Sequence, residues 1–289
     1  MTYLRQLVKK PVERLLSLVR KDPPSNCISW NHVELVSRDQ SSQLRVPVTQ
    51  ITDLHPADVA EILSGLNQLD RDQVLDQMDI KQVADALEEV EPEFQANLLE
   101  HMPDEKIADV LEEMAPDEAA DLLAGMDKER SEDLLALMAG EDAADVRSLL
   151  SYPDDTAGGI MTTEYVTVHP EMTATEAIQY LRENANEAET IFYVYVTGAD
   201  GRLQGVFSLK RLILADPQAP VSSFMTRRAV TVQPYIGQDE VARMISKYDL
   251  LAIPVIDPQE RLLGIVTSDD ALDQIIPTAW KKRLPRIFH

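Results

Sequence analysis

The sequence predicts two kinds of fold in succession: a superhelix of short acidic helices, followed by a duplicated α/β region. Three observations lead to this α + α/β prediction. They are an apolar repeat of about twelve residues in the first half, a repeat of about sixty residues after position 150, and a negative charge on everything between the two ends. A chain of 289 residues is long enough for two or three domains that each bury a core.

The negative charge is concentrated in the middle of the chain. The net charge is −23, and residues 51–279 carry 15 Lys and Arg against 46 Asp and Glu. Such a surface repels nucleic acid and attracts cations, and a bound divalent cation relieves the repulsion between its carboxylates. A merely soluble acidic surface is the alternative that composition alone leaves open.

Several classes of protein are excluded by what the sequence lacks. Cys27 is the single cysteine, so no internal disulfide or thiolate zinc site is expected, which fits a reducing cytoplasm. No run of about 18 apolar residues predicts a membrane span, and no secretion signal is present. The five histidines are scattered, and there is no nucleophile elbow or phosphate loop, so catalysis is not expected.

The first repeat begins near Leu54, and each unit predicts one short helix. Twelve residues accommodate eight or nine helical residues and a tight turn, and the prolines fall where a first helical turn tolerates them. Apolar pairs recur at Ile62/Leu63, Val74/Leu75, Ala86/Leu87, Leu98/Leu99, Val110/Leu111, Leu122/Leu123 and Leu134/Leu135. No single unit can bury this stripe, so successive helices must stack into a superhelix.

Polar residues indicate a longer period in part of this region. Arg71 and Gln95 replace Val59 and Val83 in alternate units, which favours a repeat of helix pairs, about 24 residues long. The acidic residues fall on the face opposite the apolar stripe. Exposure of that helix face to solvent is the alternative explanation for most of them.

The second repeat aligns Met161-Thr162 with Met225-Thr226, and it continues until Gly201–Gly205 aligns with Glu260–Gly264. Each copy reads as strand, helix, strand, turn, strand, helix. The alternation of strands and helices predicts two copies of one α/β domain.

Three motifs carry a resemblance to known families. D-T-A-G-G-I-M-T at Asp155–Thr162, A-I-P-V-I-D at Ala252–Asp257 and G-I-V-T-S-D-D at Gly264–Asp270 resemble CBS-domain signatures. With the acidic repeats and L-H-P-A-D at Leu54–Asp58, residues 51–276 resemble the MgtE magnesium-transporter family. The resemblance implies a right-handed superhelix followed by a tandem CBS (Bateman) pair.

The resemblance also implies a cytosolic Mg²⁺ sensor, in which Mg²⁺ bridges carboxylates of the helical and CBS domains. It places helical-domain ligands on Asp85, Asp117 and Asp121, with Asp257 and Asp239 as partners on the CBS side. Asp117 and Asp121 are four residues apart on one helix face, where two carboxylates repel unless they are hydrated or metal-bound.

The resemblance to CBS pairs also implies binding of adenine nucleotides such as ATP or AMP. The implied site has a T-x-x-D turn at Thr267 and Asp270, together with Pro254. The first copy reads Ser208-Leu209-Lys210-Arg211, so an arginine stands where the turn has its acid. An acid favoured by the dipole at the start of a helix is the alternative role for Asp270.

The expected domains are a basic segment at 1–50, helical repeats at 51–152, CBS copies at 153–218 and 219–278, and a basic tail at 279–289. Residues 26–51 resemble the tail of a PRC-barrel. The basic ends suit contact with an anionic membrane surface or with the acidic middle of the chain, and an ordinary docking helix is the favoured role. The chain lacks the membrane helices of the family. Its ends at Met1 and His289 lead us to expect a natural soluble relative rather than a truncated transporter.

Three functions remain open at this point. The first is a Mg²⁺ sensor that forms a homodimer through its CBS pair and acts on a membrane transporter. The second is a nucleotide-responsive module in which the acids are incidental, and the third is an interaction scaffold. Ca²⁺ and Mn²⁺ share the oxygen ligands of Mg²⁺ and are not separated from it by sequence.

Overall fold

The computed structural model describes residues 34–38, 41–45, 54–90, 92–100, 102–186 and 188–273. The chain divides into two compact units, residues 1–90 and 91–289. Strands β1 (Glu34–Arg38) and β2 (Ser41–Arg45) form an antiparallel hairpin within the segment that resembles a PRC-barrel. The remaining predictions for residues 1–50, and those for the tail at 279–289, lie outside the described residues.

The first unit contains three short helices, α1 (Pro56–Gly65), α2 (Gln68–Leu75) and α3 (Ile80–Glu88). Side-chain caps explain where they begin, because Asn67 accepts the Asp70 N–H and Asp79 forms a capping box with Gln82. Helix α1 packs against α3, the second helix after it in the sequence.

Five further helices continue the repeat in the second unit: α4 (Pro92–Leu99), α5 (Asp104–Glu113), α6 (Pro116–Ala124), α7 (Lys128–Leu137) and α8 (Gly140–Leu149). Helix α4 packs on α6, α5 on α7, and α6 on α8. One helix per twelve residues is therefore confirmed, and packing onto every second helix accounts for the period of about 24 residues.

Arginines satisfy carbonyl groups at helix ends throughout the repeats. In the first unit the Arg71 guanidinium donates to the carbonyls of Leu63 at 3.2 Å and Leu66 at 3.1 Å. In the second unit Arg147 donates to the Leu135 carbonyl at 3.0 Å. The last carbonyls of a helix have no hydrogen-bond partner within it. An arginine at a position that is apolar in other units therefore supplies the missing donor.

The first CBS copy contains β3 (Thr167–Val168), α9 (Ala174–Asn184), β4 (Tyr193–Thr197), β5 (Leu203–Ser208) and α10 (Leu209–Ile213), and α11 (Val221–Phe224) follows at the start of the second copy. Strand β4 lies between a parallel β3 and an antiparallel β5. Helix α9 begins with a capping box between Thr173 and Glu176 and buries Ala174, Ala177 and Leu181.

The second copy repeats this arrangement with α12 (Gln238–Tyr248), β6 (Ala252–Ile256), β7 (Leu262–Thr267) and α13 (Ser268–Asp273). The sequence alignment of the two copies is matched by the backbone. Gly201 and Glu260, aligned one to the other, both have positive φ, +77° and +63°. Each is the turn residue between the two antiparallel strands of its copy, a position that favours glycine.

The segment that joins the helical repeats to the first CBS copy pairs with the second copy instead. We call residues 151–163 the connector. Ala157 N–H donates to the Ile236 carbonyl at 2.7 Å, Gly158 N–H to the Pro234 carbonyl at 2.8 Å, and Thr162 exchanges two backbone hydrogen bonds with Ile265. The D-T-A-G-G motif therefore ties the helical repeats to the second CBS copy by backbone hydrogen bonds.

Candidate functional site

Asp117 lies in the first turn of α6, directly after Pro116. The residue is partly exposed, but its carboxylate oxygen Oδ1 is buried and has no hydrogen-bond partner. Within the described residues only two other buried side-chain atoms lack a partner, and both are hydroxyl oxygens, of Thr163 and Tyr195. A buried carboxylate oxygen without a donor costs free energy unless a proton or a cation satisfies it.

The surroundings of Asp117 disfavour its charged form. Burial, followed by repulsion from Asp270, Glu118 and Glu189, raises the pKa of Asp117 well above its usual value of 3.8. Its own backbone N–H opposes this effect but is the smallest contribution. Three carboxylates thus repel the charge of a fourth, and a bound divalent cation relieves repulsion of this kind.

Asp270 brings the second CBS copy to this site. It lies in the first turn of α13, and the hydroxyl of Thr267, at the end of β7, donates a hydrogen bond to its Oδ2. Glu189 precedes β4, and its backbone N–H donates to the Glu164 carbonyl at 2.9 Å. Helix α6 of the repeats and both CBS copies therefore contribute carboxylates to one neighbourhood, which we call the Asp117 cluster: Asp117, Glu118, Glu189 and Asp270.

The sequence identified Asp117 through the family resemblance but missed its neighbours. Asp270 was assigned to nucleotide binding, and Glu189 was not singled out. Neither has a local signal of proximity to Asp117, because the contact depends on how α6 packs against the CBS pair.

The other helical-domain residues of the predicted metal set are Asp121 and Asp85. Asp121 lies one turn further along α6 and is exposed. Asp85 belongs to α3 in the first unit and forms an ion pair with Lys81 at 3.3 Å. Exposed pairs of this i, i+4 kind contribute little to stability, so the pairing leaves Asp85 available to a cation. The role of both residues as ligands stays a prediction.

The two predicted ligands on the CBS side, Asp257 and Asp239, lie in a turn and at the start of a helix. Asp257 Oδ1 accepts the backbone N–H groups of Gln259 and Arg261, both at 2.8 Å, and so shapes the turn between β6 and β7. Asp239 is exposed in the first turn of α12. Neither is among the groups that shift the pKa of Asp117. Their metal-binding role is likewise still a prediction.

An acidic cavity of about 430 Å³ lies between the helical repeats and the first CBS copy. Its lining includes Glu112, Glu141, Asp142, Asp145 and Glu164. Burial, together with repulsion from Asp142 and Glu141, raises the pKa of Asp145. The negative potential therefore extends beyond the Asp117 cluster along the same interface.

The described residues contain no ready-made cage of three or more His, Cys, Asp or Glu side chains around one point. The buried Oδ1 of Asp117 has no hydrogen-bond partner, and a hydrated Mg²⁺ that accepts one or two carboxylates would satisfy it. None of the helices in the described ranges has the length and the hydrophobicity of a membrane span.

The residues of the predicted nucleotide site lie on the β6–β7 hairpin and in the helix that follows it. Pro254 is in β6, where its carbonyl accepts the Val232 N–H at 3.1 Å, and Thr267 is buried at the end of β7. The T-x-x-D turn is formed, because Thr267 is hydrogen-bonded to Asp270. Asp270 therefore belongs both to this turn and to the Asp117 cluster.

The chain is similar to known proteins over both its helical repeats and its CBS copies. Residues 54–155 match the MgtE intracellular N domain, and residues 157–217 and 221–277 match the CBS domain. The magnesium transporter MgtE of Thermus thermophilus is 48% identical over 128 residues, 44% of this chain and 28% of that protein. The Bacillus subtilis MgtE is 36% identical over 229 residues, 79% of this chain and 51% of that protein.

A solved structure covers the same region. The crystal structure of the cytosolic domain of the Mg²⁺ channel MgtE in complex with ATP is 38% identical, with a TM-score of 0.75, and the match covers 78% of this chain and 93% of that one. The chain spans about half or less of the full-length curated relatives it matches. The predicted order of a helical domain and a CBS pair is confirmed, and the chain belongs to the MgtE family, of which it contains the intracellular N domain and both CBS domains.

Proposed function

We propose that this chain is a non-catalytic, Mg²⁺-sensing regulatory module of an MgtE magnesium-transport system. The observation that carries the proposal is the buried Asp117 Oδ1, which has no hydrogen-bond donor and lies among the carboxylates of Asp270 and Glu189. Mg²⁺ at this point would satisfy Asp117 and cancel the repulsion between α6 and the CBS pair. Without the ion the same groups repel, so the interface has two states that Mg²⁺ biases.

The affinity of this switch is expected to be modest. Mg²⁺ dehydrates reluctantly and takes few protein ligands, so no deep cage is required. The surrounding negative charge, including that of the acidic cavity, raises the local cation concentration. A module of this kind senses free Mg²⁺ because binding and interface closure are linked.

Hydrogen exchange tests the proposal at the interface itself. We expect millimolar MgCl₂, compared with KCl at equal ionic strength, to increase protection of α6 and α13. Asp117→Asn should abolish this increase, whereas Asp133→Asn, at an exposed acid on α7, should retain it. Protection that is independent of Mg²⁺, or equally altered in both variants, would contradict the sensor function. Parallel titrations with CaCl₂ and MnCl₂ measure the ion selectivity.

A nucleotide-responsive module is the second candidate. The observations in its favour are the formed Thr267–Asp270 turn and the ATP complex of the 38% identical MgtE cytosolic domain. Titration with ATP or AMP in EDTA distinguishes the two functions, because a nucleotide module responds without Mg²⁺. A chain that responds to neither ligand would be an interaction scaffold.

A further inference from the structure

A second cavity, of about 360 Å³, lies within the helical repeats of the second unit, where the end of α6, helix α7 and the end of α8 meet. No residue lines both this cavity and the acidic one beside the first CBS copy. Its volume is at the lower end of the range typical of small-molecule sites, about 300–1,000 Å³. The space therefore suits a small metabolite rather than a protein segment.

The wall of this cavity contains a buried serine whose hydroxyl has no partner. Ser131, the fourth residue of α7, is 8% exposed, and its hydroxyl makes no hydrogen bond within the described ranges. In α1, by contrast, the Ser64 hydroxyl donates to the Ala60 carbonyl at 2.8 Å, four residues earlier. The Ser131 oxygen is not one of the fully buried side-chain oxygens that lack a partner, so the cavity gives access to it. A hydroxyl in this position is available to a ligand.

Two cationic side chains line the same cavity. Lys128 is the first residue of α7 and forms no ion pair in the described part of the chain. Arg147, in the last turn of α8, uses Nη2 for the Leu135 carbonyl, which orients the guanidinium and leaves Nε and Nη1 as further donors. The lining residues thus include two cations and one acid, Glu132, in a chain with 50 acids against 27 Lys and Arg. This charge favours a monoanion.

Backbone groups and apolar side chains complete the lining. Helix α7 begins at the cavity, and the side chain of its N-cap residue, Asp127, makes no capping hydrogen bond. The first N–H groups of the helix therefore have no acceptor on that side chain, and such groups favour an anion. The apolar part of the lining includes Leu123, Met126, Leu135 and Leu150.

We propose that this cavity binds a small metabolite in which a carboxylate is attached to a compact apolar group. The carboxylate accepts a hydrogen bond from the Ser131 hydroxyl and pairs with Lys128 and Arg147, while the apolar group packs against the leucines and the methionine. A phosphate dianion is disfavoured, because two cations and one acid do not balance its charge and the apolar wall offers it no contact. The inference does not rest on Mg²⁺ binding at the Asp117 cluster.

This chemistry has two sources, a free apolar amino acid and a simple carboxylic acid. They differ in the ammonium group, which Glu132 is placed to accept as an ion-pair partner at the same cavity. Leucine and 4-methylpentanoate differ in this group alone, and 3-methylbutylamine is leucine without its carboxylate. These three compounds are therefore the probes.

Calorimetric titration of the full chain in EDTA, at neutral pH and constant ionic strength, tests the proposal. We expect Ser131→Ala and Lys128→Gln each to weaken binding of a carboxylate by roughly threefold or more, because each removes a hydrogen bond to it. Ser148→Ala, at an exposed serine of α8, and Lys247→Gln, at an exposed lysine of α12, should change it by less than about twofold. Arg147 is not substituted, because it also caps α7.

The pattern across probes identifies the source of the carboxylate. Leucine that binds more tightly than 4-methylpentanoate, and that Glu132→Gln weakens selectively, indicates an amino acid. Equal or tighter binding of 4-methylpentanoate indicates a simple carboxylic acid. The proposal is overturned if 3-methylbutylamine binds as tightly as the carboxylates, if neither carboxylate binds with a Kd below about 10 mM, or if Ser131→Ala and Ser148→Ala have equal effects. Melting curves establish that the variants remain folded, which is expected because alanine at Ser131 favours the helix.

Discussion

At the scale of single residues, the proposed site depends on the charge state of Asp117. The pKa of this carboxyl is raised by burial and by Asp270, so the folded protein holds the proton to a higher pH than the unfolded chain does. As pH rises above the ordinary value of 3.8, the unfolded state loses the proton first and folding is disfavoured. A difference of one pKa unit between the two states is worth about 1.4 kcal/mol.

We therefore expect the metal-free protein to lose stability as pH rises from about 4 through the raised pKa of Asp117. Asp117→Asn should remove this loss, because an amide does not ionise. Urea unfolding of the dialysed protein across this pH range measures the effect. Asp133→Asn is the matched control on an exposed helix face, and equal slopes for wild type and Asp117→Asn would contradict the assignment.

The sequence singles out individual acidic residues better than it predicts which of them lie together. The resemblance of the repeats was sufficient to make Asp117 a candidate ligand, since its position within a helical unit is local information. Asp270 was recognised as part of a local turn, and its proximity to Asp117 depends on tertiary packing that no periodicity encodes. Glu189 lies in an irregular segment before β4 and carries no motif at all.

At the scale of elements, the connector shows what two adjacent glycines provide. A Cβ at Gly159 would collide with the backbone carbonyl of Pro153, and one at Gly158 would lie 2.6 Å from the ring of Tyr152. At Gly140, the first residue of α8, a Cβ would meet nothing within 4 Å. The sequence identified the D-T-A-G-G motif, but not its pairing with residues 234–238.

We expect Gly159→Ala to destabilise the protein by roughly 2 kcal/mol or more, because a backbone carbonyl cannot move aside as a flexible side chain can. Gly140→Ala should be neutral or stabilising by up to about 1 kcal/mol, because alanine is the better helix former. Thermal unfolding of both variants measures the difference. Equal melting temperatures would mean that the connector does not depend on this close approach.

Helices were predictable in this chain because the twelve-residue period repeats many times and prolines mark several starts. The helix-pair period was visible in Arg71 and Gln95, and the structure supplies the reason for the first, since Arg71 caps α1. Equivalent turn positions in the CBS copies were also predicted by alignment, although Glu260 adopts a positive φ that its side chain does not favour.

At the scale of the whole molecule, exposed apolar side chains bear on the predicted homodimer. Ile213 is 65% exposed and Leu214 75% exposed at the end of α10, and Leu272 is 51% exposed on α13. Exposed large apolar residues grouped on elements of one domain type are typical of association surfaces. The homodimer through the CBS domains remains a proposal.

We expect the wild-type chain to sediment as a dimer of the 32.4 kDa subunit and Leu214→Glu to sediment as a monomer, because burying a carboxylate at an apolar interface is costly. Leu137→Glu is the control, since Leu137 is 49% exposed on helix α7 of the repeats. Analytical ultracentrifugation in EDTA separates association from Mg²⁺ binding. A wild-type monomer at micromolar concentration would contradict the prediction.

The connector also constrains the order in which the protein can mature on the ribosome. Its partners at Pro234, Ile236 and Ile265 are translated long after the connector itself. At ~5–20 residues per second, the roughly 80 residues between Ala157 and Ile236 take several seconds or more to synthesise. During that interval the helical repeats can fold, whereas the connector lacks its native hydrogen-bond partners. Translation of β7, which carries Ile265, is therefore the step that completes the set of native partners of the connector.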